Sequence, residues 1–291
     1  MLGFFRKLNQ KRLSYRVLNK LVKRQKKLKE FGFYAEAVFA KTQQGDFLVN
    51  PSDNFVSKSL LNKGEYGIEE ISLASKFLKK KSRCLILGGH IGSLVVPLSK
   101  LCKEITVFEA NPKTFELLTK NLKLNEIQNV YPFNKAVNYK DEPLDFLLSK
   151  DNSGGSKRWP KNPVKGYFYD NPEKIIVNSV ALDNFLKCKT FDLIFVDIEG
   201  SEFFAFKGMQ KILQNSKVLI TEYVPHHLKN VASISPLEFW STLHPHFNHM
   251  FIPKSKISFS GKEEILKQLV LVFNSNQSHD NIVFSKFKLK C

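Results

Sequence analysis

The chain is predicted to be an α/β protein built on a Rossmann-like, doubly wound, mostly parallel sheet, and three observations carry that reading. Short apolar runs alternate with helix-periodic segments from Arg83 to Tyr223, the pattern of a parallel sheet covered on both faces. Leu85-Ile-Leu-Gly-Gly-His-Ile-Gly92 is a strand running into a glycine turn that opens a helix, and Glu109 closes the strand after it. The 291 residues are 43% hydrophobic, enough for a sizeable core, which excludes a disordered chain.

Taken in order, the first element is a basic arm. Residues 1–29 hold eleven Lys or Arg and no acid, and Leu2, Phe5, Leu8, Leu13, Val17, Leu18, Leu21, Val22 and Leu28 recur near helical spacing. Residues 2–29 therefore read as a basic amphipathic helix. Ala35–Lys41 and Asp46–Asn50 flank Thr42-Gln-Gln-Gly45 as a small hairpin, 51–67 is turn-rich, and Ile68–Lys79 is helix-periodic with a lysine-rich end. The predicted parallel strands are Cys84–Leu87, Ile105–Glu109, Val130–Asn134, Leu193–Asp197 and Val218–Tyr223. The helices between them are Gly92–Cys102, Pro112–Leu124, Ala181–Leu186 and Glu202–Gln214. Polar, Gly/Pro-rich residues 138–180 read as an insertion over one end of the sheet, with Asn152–Ser156 as a loop or lid. Phe247–Ile252, Leu269–Phe273 and Ile282–Phe287 are expected to add an antiparallel edge. Residues 1–67 form an N-terminal extension, and 68–291 form the main domain.

The formal charge is +18, but residues 30–291 carry 34 basic against 27 acidic groups, so the body is only mildly basic at +7. Three readings of the arm stay open: insertion on an anionic membrane surface, nucleic-acid binding, or packing on the body or on a second subunit in a homo-oligomer. Cys84, Cys102, Cys188 and Cys291 lack CxxC or Cys/His spacing, which speaks for a reducing compartment. No run of 18 apolar residues and no secretory signal is evident, so the expectation is a cytoplasmic protein, with the inner face of a membrane as an address for the arm.

The glycine turn lets backbone approach a ligand closely, and Glu109 is placed to accept hydrogen bonds from the hydroxyls of a ribose. Leu87 stands where a dinucleotide fingerprint has its first glycine, which disfavours a pyrophosphate, and no phosphate loop is present. A nucleoside without phosphates is the expected ligand. Val196-Asp-Ile-Glu-Gly-Ser-Glu202 puts Asp197, Glu199 and Glu202 at a strand end that opens a helix. Glu199 and Glu202 can act as helix-terminal acids; Asp197 can act as a general base for a hydroxyl, with Glu199 and Glu202 orienting substrate or shaping the site; or a divalent metal can be held with Asp197 among its ligands. Glu222, His226 and His227 follow at the next strand end, and His226 is a further candidate base. Lys157, Arg158 and Trp159 can meet an acidic or sugar-like acceptor, or belong to an exposed linker.

From about Gly64 to Tyr223 these blocks, in order, resemble the FkbM family of S-adenosylmethionine-dependent methyltransferases. They are GGHIG, FEANP (Phe108–Pro112), NLKLN (Asn121–Asn125), NKAV (Asn134–Val137), GGS (Gly154–Ser156), VALDNF (Val180–Phe185) and DLIFVDIEGSEFFAFKG (Asp192–Gly208). The resemblance implies a class I methyltransferase fold with S-adenosylmethionine as cofactor. It would place Gly88, Gly89, His90 and Gly92 against the methionine part and Glu109 on the ribose. Ala110, Asn111 and Ala136 would lie around the adenine, and Asp197 at the reacting end. Two positions depart from the family pattern. Ile86 replaces an aspartate, which predicts weaker attraction of a cationic ligand, and His90 replaces an asparagine. The expected activity is O-methyl transfer to a hydroxyl of a sugar, glycan or glycolipid precursor. An RNA methyltransferase and a catalytically degenerate binding module are the alternatives.

Overall fold

A computed structural model describes residues 35–187 and 189–289. The basic arm over 2–29, Cys188 and Cys291 lie outside the described residues. Cys84 and Cys102 are buried free thiols. No helix among the described residues is long and apolar enough to cross a membrane.

The hairpin forms as expected from β1 (Val38–Thr42) and β2 (Gly45–Val49). The segment read as turns contains a helix, α1 (Val56–Lys63), which buries Val56 and Leu60 and stops at Gly64. Helix α2 (Ile68–Ser75) ends before the lysine cluster. The central sheet is then built by β3 (Arg83–Leu87), α3 (Val95–Ser99), β4 (Glu104–Phe108), α4 (Pro112–Leu124) and β5 (Val130–Phe133). Strands β3, β4 and β5 run parallel. Asn121 on α4 and Asn125 just past its end accept from the backbone N–H of Leu48 (2.6 Å) and Asp46 (2.9 Å), so the NLKLN block fastens the hairpin to the domain.

The insertion is largely a sheet, with a turn at Ser153–Gly155. β6 (Ala136–Val137), β7 (Pro143–Leu148), β8 (Lys157–Arg158) and β9 (Glu173–Val180) make a second, four-stranded sheet in the order β6-β9-β7-β8. Phe146, Leu148 and Val177 alternate inward and bury against Ala136, so a small apolar cluster holds this sheet, and only the turn after β7 is glycine-rich.

After α5 (Leu182–Phe185), strand β10 (Leu193–Val196) returns to pair with β3 on the side opposite β4, which makes the β3/β10 boundary the switch point of the sheet. The expected helix Glu202–Gln214 is two helices, α6 (Glu202–Lys207) and α7 (Gln210–Asn215). They break at Gly208, where a Cβ would stand 2.0 Å from the Asn138 carbonyl oxygen. Strand β11 (Val218–Tyr223) completes the parallel run. A short turn of helix, α8 (Pro225–His227), and α9 (Pro236–Ser241) lead to β12 (His249–Ile252) and β13 (Ile257–Ser260). Helix α10 (Lys262–Ser275) and β14 (His279–Ser285) close the chain, and the full order is β13-β12-β14-β11-β10-β3-β4-β5. Leu269–Phe273, expected as a strand, lies inside α10: Ile265, Leu269 and Val272 share the buried face, while Val270 and Leu271 are exposed. Strand β14 runs antiparallel to β11, as the edge expectation required.

The core sits on both faces of the sheet. Leu85, Leu87, Ile194 and Val196 point into one cluster, and Cys84, Ile86, Leu193 and Phe195 into the other. Register then decides the site. Leu87 pairs with Phe108 on one side and with Val196 on the other, and Val196 pairs with Thr221. The next residues, Glu109, Gly88, Asp197 and Glu222, therefore stand in a row along the carboxyl edge of the sheet.

Candidate active site

Above that row lies a cleft of about 340 Å³, within the range of small-molecule sites. Its floor is Gly88, Gly89, His90, Glu109, Ala110, Asp197 and Glu199. Ala136, Leu144 and Phe146 of the second sheet form one wall, and Phe55, Val56, Tyr66 and Glu70 form the roof. The N-terminal extension is thus part of the cleft. Gly88 has φ 93°, and a Cβ there would stand 1.8 Å from the Asp197 carbonyl oxygen, so only glycine lets the two strand ends meet.

Glu109 is 8% exposed and rigidly held. One carboxylate oxygen accepts from the His90 N–H (2.7 Å), and the other from the Asn111 N–H (2.8 Å) and the Thr114 hydroxyl (3.0 Å). Three of its roughly four acceptor positions are filled by protein, leaving one for a ligand in the cleft. Asn111 itself is buried and caps α4 by accepting from Lys113 N–H at 2.9 Å; it does not line the cleft. Nor does Gly92, which packs against Leu118.

His90 has φ 47°, and its Nε2 meets the Ser153 hydroxyl at 2.8 Å. That hydroxyl donates to Asp53, a carboxylate that also accepts from the Ser153, Phe55 and Ser57 N–H groups. The single hydroxyl proton goes to Asp53, so His90 donates from Nε2. The Gly154 loop is therefore pinned between the glycine turn and the N-terminal extension. Ile86 points away from the cleft into the core and is fully buried.

Asp197 faces the open cleft. The protein packed around it and the like charges of Glu199 and Glu202 push its pKa up to about 8. Water in the open cleft moderates this shift. Glu199 has φ 55°, and its carboxylate pairs with the buried Lys157 ammonium at 2.9 Å and with His227 Nε2 at 3.3 Å. Glu202 does not line the cleft; it accepts from Ile198 N–H (3.1 Å) and Gly200 N–H (3.2 Å) and so shapes the turn that carries Asp197 and Glu199. Burial pushes both Glu202 and Glu222 upward, and both carboxylates accept from the Gly200 N–H, at 3.2 and 3.3 Å.

Of the two histidines after β11, His226 is exposed and its ring nitrogen meets Asn230 at 3.0 Å, away from the carboxylates. His227 is the one that turns inward, and burial lowers its pKa against the opposing pull of Glu199. Tyr167 covers this group, its ring beneath Lys157 Nζ at 5.0 Å, with a hydroxyl that has no hydrogen-bond partner among the described residues. Sequence reasoning did not find Asp53, Tyr66 or Tyr167, because nothing in their local spacing marks them; long-range packing brings them in. Among the described residues no group of three or more His, Cys, Asp or Glu side chains is placed to hold a metal ion, so the divalent-metal alternative has no donor set there.

Residues 87–250, more than half of the chain, match the methyltransferase FkbM domain. No curated protein matches. Solved structures similar to this chain include a putative methyltransferase from Streptococcus mutans in complex with SAH (13% identity, 76% of this chain and 98% of that one, TM-score 0.44). An rRNA methylase from Streptococcus thermophilus is similar at 11% identity, over 77% of this chain and 98% of that one, with TM-score 0.42. Trm5b from Pyrococcus abyssi is similar at 10% identity and TM-score 0.36, over 65% of this chain but only 41% of its own length.

Proposed function

Because the chain belongs to the FkbM methyltransferase family, we propose that it is an S-adenosylmethionine-dependent O-methyltransferase whose acceptor is a hydroxyl of a sugar, glycan or glycolipid precursor. The observation that carries this reading is the register of β4, β3 and β10, which sets Glu109 and Asp197 on either side of the glycine turn in one cleft.

The donor set fits the cofactor. Glu109 offers a fixed carboxylate to a ribose diol, and Ala110, Ala136 and Phe146 offer an apolar wall to an adenine. Asp197, once ionised, suits a cation at the reacting end of the cleft. When bound, S-adenosylmethionine would supply an activated, electrophilic methyl group. The protein's part is then to position and deprotonate. Asp197 receives the proton of the acceptor hydroxyl. Glu199 orients that acceptor while Lys157 and His227 hold it in place, and Glu202 fixes the turn beneath both. Phe55 and Tyr66 form an aromatic roof over the cleft.

Incubation of the full chain with methyl-labelled cofactor and fractionated cell extract tests the acceptor class. Label is expected in alkali-stable ether linkage on a saccharide fraction. Label confined to RNA would overturn the acceptor assignment.

A further inference from the structure

The cleft is electrostatically two-ended, and one end has no assigned task. Its acids stand along the sheet edge, whereas Arg158 enters from β8 in the opposite wall. The guanidinium lies 3.6 Å from the centre of the Phe204 ring, and Lys161 Nζ stands 5.2 Å from the same ring, so two positive charges gather there. Nη1 is enclosed and has no hydrogen-bond partner among the described residues. The carboxylate whose charge reaches it, that of Glu142, is already held by Lys140 at 2.8 Å and by the Asn138 amide at 3.0 Å. The preceding residue differs in kind: the Lys157 charge is neutralised by Glu199.

A guanidinium that lies over a ring face keeps N–H groups for an acceptor, and its fork matches carboxylates and phosphates in bidentate fashion. We propose that Arg158 is the recognition site for a compact anionic group on the methyl acceptor, a phosphate monoester or a carboxylate. The acceptor is then a phosphorylated sugar or a uronic acid. This inference rests on the methyltransferase reading for the word acceptor, but not for the anion site itself. The site is enclosed in a cleft wall, which suits a terminal anion and not the phosphodiester backbone of a nucleic acid, read as that is by exposed cations.

The test is calorimetric titration of inorganic phosphate and of glucuronate into the full-length protein loaded with S-adenosylhomocysteine. At least one anion is expected to bind saturably at one site, with phosphate or glucuronate identifying the source. Arg158→Gln is expected to weaken that binding at least tenfold while S-adenosylhomocysteine affinity stays within twofold. Arg158→Lys, which keeps the charge without the fork, is expected to fall between, and it provides the readout if the glutamine variant does not fold. The proposal is overturned if neither anion binds the wild type, if the variants bind as the wild type does, or if a folded Arg158→Gln protein loses S-adenosylhomocysteine. It is also overturned if single-stranded RNA displaces the anion from Arg158. Anion binding that survives in a protein unable to bind S-adenosylhomocysteine would remove the methyltransferase reading and leave the anion site standing.

Discussion

Replacing Glu109 with alanine is expected to weaken S-adenosylhomocysteine binding at least a hundredfold, about 3 kcal/mol. Two effects combine. A ligand hydroxyl loses a charge-assisted hydrogen bond, in the range of about 1.5–3 kcal/mol. The His90 and Asn111 N–H groups and the Thr114 hydroxyl lose their acceptor at the same time, so the glycine turn and the start of α4 are no longer tied together. Glu109→Gln keeps the shape and one good acceptor oxygen, so its loss should be intermediate. Calorimetry beside a denaturant melt separates the two contributions. A Glu109→Ala protein that melts as the wild type does and binds as tightly would show that the acid plays no part in the site.

The second large effect is expected at Asp197. Asparagine has nearly the same shape but cannot take up the acceptor proton, so kcat should fall by about 10²–10⁴. Affinity for the cationic donor should fall more than affinity for its product, in which the sulfur is neutral. The pH profile gives an independent check. A base must be deprotonated to act, and the carboxyl of Asp197 is pushed up to about 8 by the protein packed around it and by Glu199 and Glu202. Activity therefore rises with pH and is lost as pH falls through the raised pKa of this carboxyl, about tenfold per unit once well below it. A bound cation favours the ionised form and moves the midpoint of kcat below that of kcat/KM. A profile flat from pH 6 to 9 would remove Asp197 as the base.

The parts of the site that lie close together in sequence were legible there. The glycine turn, Glu109 and the VDIEGSE block carry their chemistry at fixed short spacings, and the strands before them are continuous apolar runs. The parts that depend on distant pairing were not. Strand β7 pairs with β9 across Pro143↔Asn178, a partnership that polar turns between them conceal. Asp53 reaches Ser153 from a hundred residues away. The choice between His226 and His227 is settled by the helical turn that Pro225 opens, which sends neighbouring side chains in different directions. Leu269–Phe273 shows the limit of reading a short apolar run: its residues look like a strand alone and like one helix face once Lys262–Gln268 precede them.

The central claim is that the cleft between the glycine turn, Glu109 and Asp197 holds a nucleoside carrying a sulfonium and no pyrophosphate. Titration of S-adenosylmethionine and NAD into the full-length protein tests it most directly. The expected result is saturable one-to-one heat with S-adenosylmethionine and none with NAD. No binding of S-adenosylmethionine, or equal binding of NAD, would contradict it.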